Sequence, residues 1–247
     1  MNKISIFIIM LSLLSGCGNN ADIHDARIED SDFIEIWQVD YKIIAMGYHE
    51  NFVIKSDNTL WTWGSFSNSL KGGVNTVGDV SVQIMYDVVS VSASRNHTLA
   101  IRTDGSLWSW GVNNNGQLGD GTTTSSKIPT RIMDDVVSIA AGNGNSFAVK
   151  TDGSLWAWGS NNGSLWVAGD AVRGGVLGDG TVTYRNESGD LVDNDRLTPI
   201  KILDGVASVA TGNGHSLALK KDRSVWAWGL NNFMAYKPVE HAKRAKQ

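Results

Sequence analysis

The 247-residue sequence has one cysteine, three prolines and no surplus of basic residues. A lone cysteine excludes an internal disulfide framework and a cysteine-based zinc cluster. With 21 Lys and Arg against 25 Asp and Glu, the net charge is −4. That balance lacks the cationic excess that phosphate binding requires, so no nucleic-acid partner is expected. Charged residues are scarce at 19% while apolar residues reach 42%, which argues against wholesale disorder. Catalytic signatures are missing as well: there is no GxSxG elbow, HExxH, P-loop or strand-preceded GxGxxG. No cofactor is therefore expected, and the reading is non-enzymatic. What the chain has in abundance is 10 Trp and 27 Gly, a pairing that points to a repeat.

The N-terminus reads as an address rather than as structure. Lys3 is followed by an apolar run, Ile4 to Leu14, broken only by Ser5 and Ser12. At about 1.5 Å per residue, this run falls well short of the roughly 30 Å a membrane span needs. The residues Leu14-Ser15-Gly16-Cys17 that close it resemble the lipobox of bacterial lipoproteins. The resemblance implies that residues 1–16 are removed, that Cys17 carries a diacylglyceryl group, and that its new amino terminus is acylated (a palmitate-type modification). Two or three acyl chains anchor stably where one does not. The expected location is the bacterial cell envelope, lipid-anchored to a membrane on the exported side. Residues 17–36 then form the lipidated cysteine and an acidic tether. Asp22, Asp25, Glu29, Asp30, Asp32 and Glu35 face only Arg27 there, too polar a stretch to bury.

From residue 37 to 232 the chain repeats four times. A WxWG motif begins at Trp61, Trp108, Trp156 and Trp226, at spacings of 47, 48 and 70 residues, and accounts for eight of the ten Trp. Upstream of each lies a second alternating apolar run: Phe52 and Ile54, Leu99 and Ile101, Phe147 and Val149, Leu217 and Leu219. Between the two runs stand Asp57-Asn58, Asp104-Gly105, Asp152-Gly153 and Asp222-Arg223, a hairpin signal. A two-residue loop places Ile101 opposite Trp108 and Leu99 opposite Trp110, and likewise pairs Ile54 with Trp61, Val149 with Trp156 and Leu219 with Trp226. On this expectation aliphatic and aromatic side chains meet on one face of each hairpin. Arg223 fits the turn poorly, because a long side chain in the left-handed region costs on the order of 1 kcal/mol. A further strand precedes each hairpin, with small residues as in Val136 to Gly142 and Val206 to Gly212, suited to a crowded central axis. After WxWG come Asn-rich turns, then Leu118-Gly119-Asp120-Gly121 and Leu177-Gly178-Asp179-Gly180, expected to turn into an outer strand.

The unit Val88 to Ile132, with WSWG, NNNGQLGDG and a trailing Pro129, resembles the regulator of chromosome condensation repeat. The resemblance implies an all-β fold, a β-propeller with one four-stranded blade per repeat and typically seven blades. Here about four units are present, so the expected architecture is a partial or open array. Residues 233–247, from Phe233-Met234-Ala235 onward, diverge from the pattern as a C-terminal tail. Such an arc is expected to leave sheet edges exposed, which invites a homo-oligomer. Relatives sharing the repeat include an exchange factor for a small nuclear GTPase and a protein inhibitor of β-lactamases, but no contact residues for either activity match this chain.

Candidate chemistry is sparse. His24, His49, His97, His215 and His241 are scattered; His97 and His215 hold equivalent repeat positions and are expected to hydrogen-bond backbone at a strand start. Asp120 and Asp179 recur because their turn recurs, which explains them better than a pair of hydrolytic carboxylates. Asp190, Asp193 and Asp195 offer carboxylate oxygens to a metal, but the Gly and distal Glu of a calcium loop are missing, so a solvated acidic loop is the better reading. The surplus of about 22 residues in the third unit is the most informative feature. It contains Trp166, Arg173, Tyr184 and Arg185, residue types enriched at binding hot spots, and insertions in repeat arrays map to loops. The expected function is that of a membrane-anchored binding protein engaging a protein or glycan partner through its loops. The alternative is an envelope polysaccharide hydrolase with its site in the acidic insert.

Overall fold

The hairpins expected around Asp57, Asp104, Asp152 and Asp222 all form, and each is the centre of a four-stranded sheet. The computed structural model describes residues 41–48, 50–64, 81–162, 175–182, 184–185, 188, 191–192, 194–229 and 242–244. Met1–Val39 and Asp40–Gln247 are separate units, and the first lies outside the described residues. The first sheet contains β1 (Tyr41–Met46), β2 (Asn51–Lys55), β3 (Leu60–Trp63) and β4 (Val82–Met85). The second contains β5 (Val88–Ala93), β6 (His97–Arg102), β7 (Leu107–Gly111) and β8 (Ser126–Met133). In the third, β9 (Val136–Ala141), β10 (Asn145–Lys150) and β11 (Leu155–Gly159) are followed by a separate two-stranded hairpin, β12 (Tyr184–Arg185) and β13 (Leu191–Val192). Strand β14 (Arg196–Leu203) then completes that sheet. The fourth has β15 (Val206–Thr211), β16 (His215–Lys220) and β17 (Val225–Gly229), with β18 (Ala242–Arg244) from the divergent tail as its outer strand. Strand β18 pairs parallel to β17, whereas the outer strands β4, β8 and β14 pair antiparallel. No helix occurs among the described residues. The architecture is a partial β-propeller of four blades.

The hairpin register differs from expectation by one residue in all four blades. Arg102 N–H donates to the Ser106 carbonyl at 3.0 Å and Gly105 N–H to the Arg102 carbonyl at 2.9 Å, so Thr103, Asp104 and Gly105 form a three-residue loop. Only Gly105 has positive φ (79°), which is a type I turn closed by one left-handed residue rather than a type I′ turn needing two. The side chain of Asp104 selects it. Its carboxylate accepts the Ser106 N–H at 2.9 Å and the Ser106 hydroxyl, and Asp57–Thr59, Asp152–Ser154 and Asp222–Ser224 repeat the arrangement. Consequently Ile101 lies opposite Leu107, Ala100 opposite Trp108 and Thr98 opposite Trp110. Ile54, Val149 and Leu219 likewise pair with Leu60, Leu155 and Val225. Because side chains alternate between faces, this one-residue shift sends every Trp to the face opposite the aliphatic residues.

The aromatic and aliphatic faces still meet, but between blades. Phe52, Ile54 and Leu60 of blade 1 pack on Val88, Ala100 and Trp110 of blade 2. Leu99, Ile101 and Leu107 of blade 2 pack on Val136, Ala148 and Trp158 of blade 3. Phe147, Val149 and Leu155 of blade 3 pack on Val206, Ala218 and Trp228 of blade 4. Each fully buried aliphatic or aromatic side chain is worth about 1.5–3 kcal/mol, so these three cores hold the array together. The small-residue strands stand innermost as expected: β9 approaches both β5 and β15, and β1 approaches β5. Blades stacked in this way expose two terminal faces, not two edges. Every blade also carries its own outer edge strand: β4, β8, β14 and β18.

Candidate functional site

The two Trp of each motif have separate roles. The first donates from Nε1 to the hydroxyl of the turn residue two positions earlier: Trp61 to Thr59 at 2.8 Å, Trp108 to Ser106 and Trp156 to Ser154 at 2.9 Å, Trp226 to Ser224 at 3.3 Å. A cation from the paired strand lies over each ring, from Lys55 at 3.7 Å to Lys150 at 5.9 Å. The Asp57, Asp104 and Asp152 carboxyls are held below the usual carboxylate range, first by the Thr59, Ser106 and Ser154 hydroxyls. In blades 3 and 4 the second Trp caps the preceding repeat. Trp158 Nε1 donates to the Gln117 carbonyl at 2.9 Å and Trp228 Nε1 to the Val176 carbonyl at 3.0 Å. Gly119 and Gly178 lie against these indoles so closely that a Cβ would sit 2.7 Å from Nε1.

The loops beyond WxWG are built around two buried asparagines, Asn113 and Asn161. Asn113 Oδ1 accepts the Leu118 N–H at 2.9 Å, and its amide donates to the Thr122 and Thr124 carbonyls and to Asp120. Asn161 repeats the pattern toward Leu177 and Thr181. In the sequence these are Asn-rich turns, and what marks them is an identical place two residues after Gly111 and Gly159. Asp195 joins the two loops, its Oδ2 accepting from Asn115 Nδ2 at 3.0 Å and its Oδ1 from the Asn161 N–H at 2.7 Å. Arg196 bridges to Asp179 at 2.6 Å. Burial pushes the Asp179 carboxyl up, but hydrogen bonds from Thr181 and Arg196 prevail and hold it below the usual range. Beside this bridge is an open depression of about 520 Å³ lined by Gly178, Asp179, Gly180, Arg196, Ile200 and Lys201. Lys201 is paired with Asp204 at 2.7 Å, so both cations at the depression carry a carboxylate partner.

The sequence-derived candidates are distributed as follows. Tyr184 and Arg185 form β12, paired with Val192 and Leu191, in the hairpin that precedes Asp195. Cys17, Trp166, Arg173, Asp190 and Asp193 lie outside the described residues, as do His24, His49 and His241. Asp195 has both oxygens engaged by Asn115 and Asn161, which removes it as a readily available base. Asp120 and Asp179 each serve their own turn through Thr122 and Thr181, as expected. Among the described residues no group of three or more His, Cys, Asp or Glu could hold a metal ion. His97 is buried, with Nδ1 3.0 Å from Ser94 Oγ and Nε2 2.7 Å from Ser146 Oγ on the neighbouring blade. Ser146 Oγ also donates to the Gln117 carbonyl at 2.8 Å. Burial lowers the pKa of His97 to about 3. Hydroxyls, not backbone alone, are therefore its partners; its counterpart His215 is exposed. Among the described residues no helix is long and apolar enough to cross a membrane.

The regulator of chromosome condensation (RCC1) repeat matches residues 104–149, and a second model of the same repeat matches 88–117, 136–164 and 206–233. Solved structures with the same fold include yeast RCC1 (Prp20) bound to Kap60, at TM-score 0.59 and 23% identity over 78% of this chain and 44% of that one. Prp20p from Saccharomyces cerevisiae, described with its binding to Gsp1p and histones, gives 0.59 and 22% over 78% and 46%. Human WBSCR16 gives 0.58 and 19% over 78% and 49%. The chain thus spans less than half the length of these structures. No curated protein matches the sequence.

Proposed function

We propose that this member of the RCC1 repeat superfamily is a membrane-anchored binding protein that engages a protein partner through the loop face of blades 2 and 3. The observation that carries the reading is the bracket formed by Asp195 with Asn115 and Asn161. It fixes one end of the 175–196 segment, which carries Tyr184 and Arg185, to two adjacent blades; Trp166 and Arg173 belong to the same insert in the sequence. Binding loops on a rigid scaffold are the usual arrangement. The yeast structures support a protein ligand, since one is bound to Kap60 and the other is described with its binding to Gsp1p and histones. Lipidation of Cys17, removal of residues 1–16 and a place on the exported side of a bacterial membrane belong to the same proposal. They rest on the lipobox resemblance of Leu14 to Cys17. A glycan partner is the finer variant of this reading. Nothing in the geometry favours the hydrolase alternative.

The test is photo-crosslinking in intact cells, with p-benzoylphenylalanine at position 166, 184 or, as a control, 86, where Tyr86 is exposed on another blade. A protein captured from 166 and 184 but not from 86 is the expected result. Equal capture from all three positions would overturn the insert as the binding site. Metabolic labelling with radioactive palmitate, present in the parent and absent in Cys17→Ser, checks the anchor.

A further inference from the structure

The hairpin end of blade 4 differs in charge from the same place in blades 2 and 3. In those blades the last cation of the second strand pairs with the Asp just before the first strand: Arg102 with Asp87 at 2.8 Å and Lys150 with Asp135 at 3.7 Å. Lys220 holds the same register position, opposite Val206 as Arg102 is opposite Val88 and Lys150 opposite Val136. The acid is replaced there by Gly205, and a Cβ on it would lie 3.4 Å from Lys220 Cε. The loop changes in the same direction. The N–H groups of Thr103, Thr151 and Lys221 donate to the Asp87, Asp135 and Gly205 carbonyls at 2.7, 2.8 and 2.8 Å, so Lys221 stands where the other blades have Thr. Arg223 stands where they have Gly105 and Gly153, and keeps a positive φ of 70° that suits glycine better. Lys220 Nζ lies over the Trp226 ring at 5.2 Å, while Lys221 and Arg223 are exposed. Among the described residues none of the three is in an ion pair. Asp222, between them, accepts the Ser224 N–H at 2.9 Å and the Ser224 hydroxyl at 2.6 Å. Strand β18 sets Lys243 and Arg244 in backbone register with Trp226 and Ala227 of the same sheet.

We infer that this end of blade 4 is a contact surface for anionic phospholipid headgroups. The backbone supplies the direction. Tyr41, Val88, Val136 and Val206 pair with Lys55, Arg102, Lys150 and Lys220, so the innermost strand of every blade starts at the hairpin end. The chain therefore enters the propeller at Tyr41 on the face that carries Lys220, Lys221 and Arg223. The loops held by Asp195 leave from the opposite strand ends. The hairpin ends of blades 2 and 3 carry exposed Asp87, Asp104, Asp134, Asp135 and Asp152, so the positive region is confined to blade 4 and tilts that blade toward a negative surface. Lys221 and Arg223 project from a turn rather than around a cavity, which suits a planar array of phosphates better than one small anion. Each Lys or Arg near such a surface tightens binding about fivefold. The inference deepens the membrane-anchored reading by giving the domain an orientation, but it does not require acylation of Cys17.

The test is sedimentation of the full chain, carrying Cys17→Ser, with vesicles of pure phosphatidylcholine and of equal parts phosphatidylcholine and phosphatidylglycerol. The ratio of the two affinities cancels the contribution of the apolar run Ile4 to Leu14. Lys221→Thr with Arg223→Gly installs the residues that blades 2 and 3 already fold with, and should lower that ratio about 25-fold. Adding Gly205→Asp, in the place of Asp87 and Asp135, should lower it further. Arg95→Thr with Lys127→Thr removes the same net charge from exposed positions elsewhere and should leave the ratio unchanged. The preference of the parent for anionic vesicles should vanish at about 0.5 M NaCl. Equal ratios for the parent and for Lys221→Thr with Arg223→Gly, both folded by circular dichroism, would overturn the inference, as would a parent that prefers neither vesicle. Displacement from the vesicles by millimolar inorganic phosphate at constant ionic strength would overturn the lipid assignment in favour of a free-phosphate site. Equally tight retention of the parent on duplex DNA would overturn it as well. Palmitate labelling of Cys17 is a separate readout, so failure of the anchor and failure of this contact are told apart.

Discussion

Phe147 offers the sharpest test of how the blades cohere. Its ring meets Trp228 of the next blade edge to face, with centroids 5.9 Å apart and planes inclined at 66°. Within its own hairpin it lies opposite Ala157, and Trp158 projects from the other face into a different core. An aromatic pair of this geometry is worth about 0.5–1.5 kcal/mol beyond the area it buries. A double-mutant cycle of Phe147→Leu with Trp228→Leu should therefore show a coupling of about 0.5–1.5 kcal/mol. A second cycle, of Phe147→Leu with Trp158→Leu, should be additive within about 0.5 kcal/mol although the two residues are nearer in sequence. Each single substitution is expected to cost about 1–4 kcal/mol through lost packing, and both Trp substitutions also remove an Nε1 hydrogen bond. The measurement is guanidinium unfolding followed by far-ultraviolet circular dichroism, with m-values compared so that changes in the unfolded state are recognised. Strong coupling of Phe147 to Trp158 together with none to Trp228 would restore the two-residue loop register and refute the inter-blade account.

Three further outcomes follow from single residues. Arg223 has φ of 70°, so Arg223→Gly should stabilise by up to about 1 kcal/mol, a rise of roughly 2–4 °C in Tm for a domain of this size; a fall in Tm would contradict the turn. Gly119→Ala should destabilise by more than 1 kcal/mol, because φ is +79° and the added Cβ would meet the Trp158 indole at 2.7 Å; unchanged unfolding would show that the indole is not seated there. His97 is neutral in the fold with a pKa lowered from 6.5 to about 3, while the unfolded chain takes up a proton below pH 6.5. Its stabilising contribution is thus complete above pH 6.5 and declines by about 1.4 kcal/mol per pH unit as the pH falls toward 3. Unfolding free energies of the parent and of His97→Asn, compared between pH 7 and 4, should show a shallower slope in the variant; identical slopes would remove His97 as the cause.

Much of this protein was legible without coordinates. The WxWG period, the Asp at each hairpin and the small-residue strands identify four β-modules, because these are local requirements. A left-handed residue must follow Asp104 whatever lies around it, and alternation of apolar residues reports an apolar face on each strand. The register was not legible from the Asp-Gly pair alone. Two turn types compete for that pair, and the choice falls to Ser106, two positions further on, which completes the hydrogen bonds of Asp104. The Asp-x-Ser/Thr spacing, present in all four units, is the local feature that specifies the three-residue loop.

What tertiary structure alone decided is who meets whom. Alternation says that a Trp and a Leu point to opposite faces, but only the stacking of blades says that Leu99 shares a core with Trp158 rather than with Trp110 of its own hairpin. The same holds for Asp195, which in sequence is one of a run of acids and in the fold is the bracket between Asn115 and Asn161, 80 and 34 residues away. Contacts at such separations depend on how modules are placed in space, and local residue chemistry carries no record of that placement.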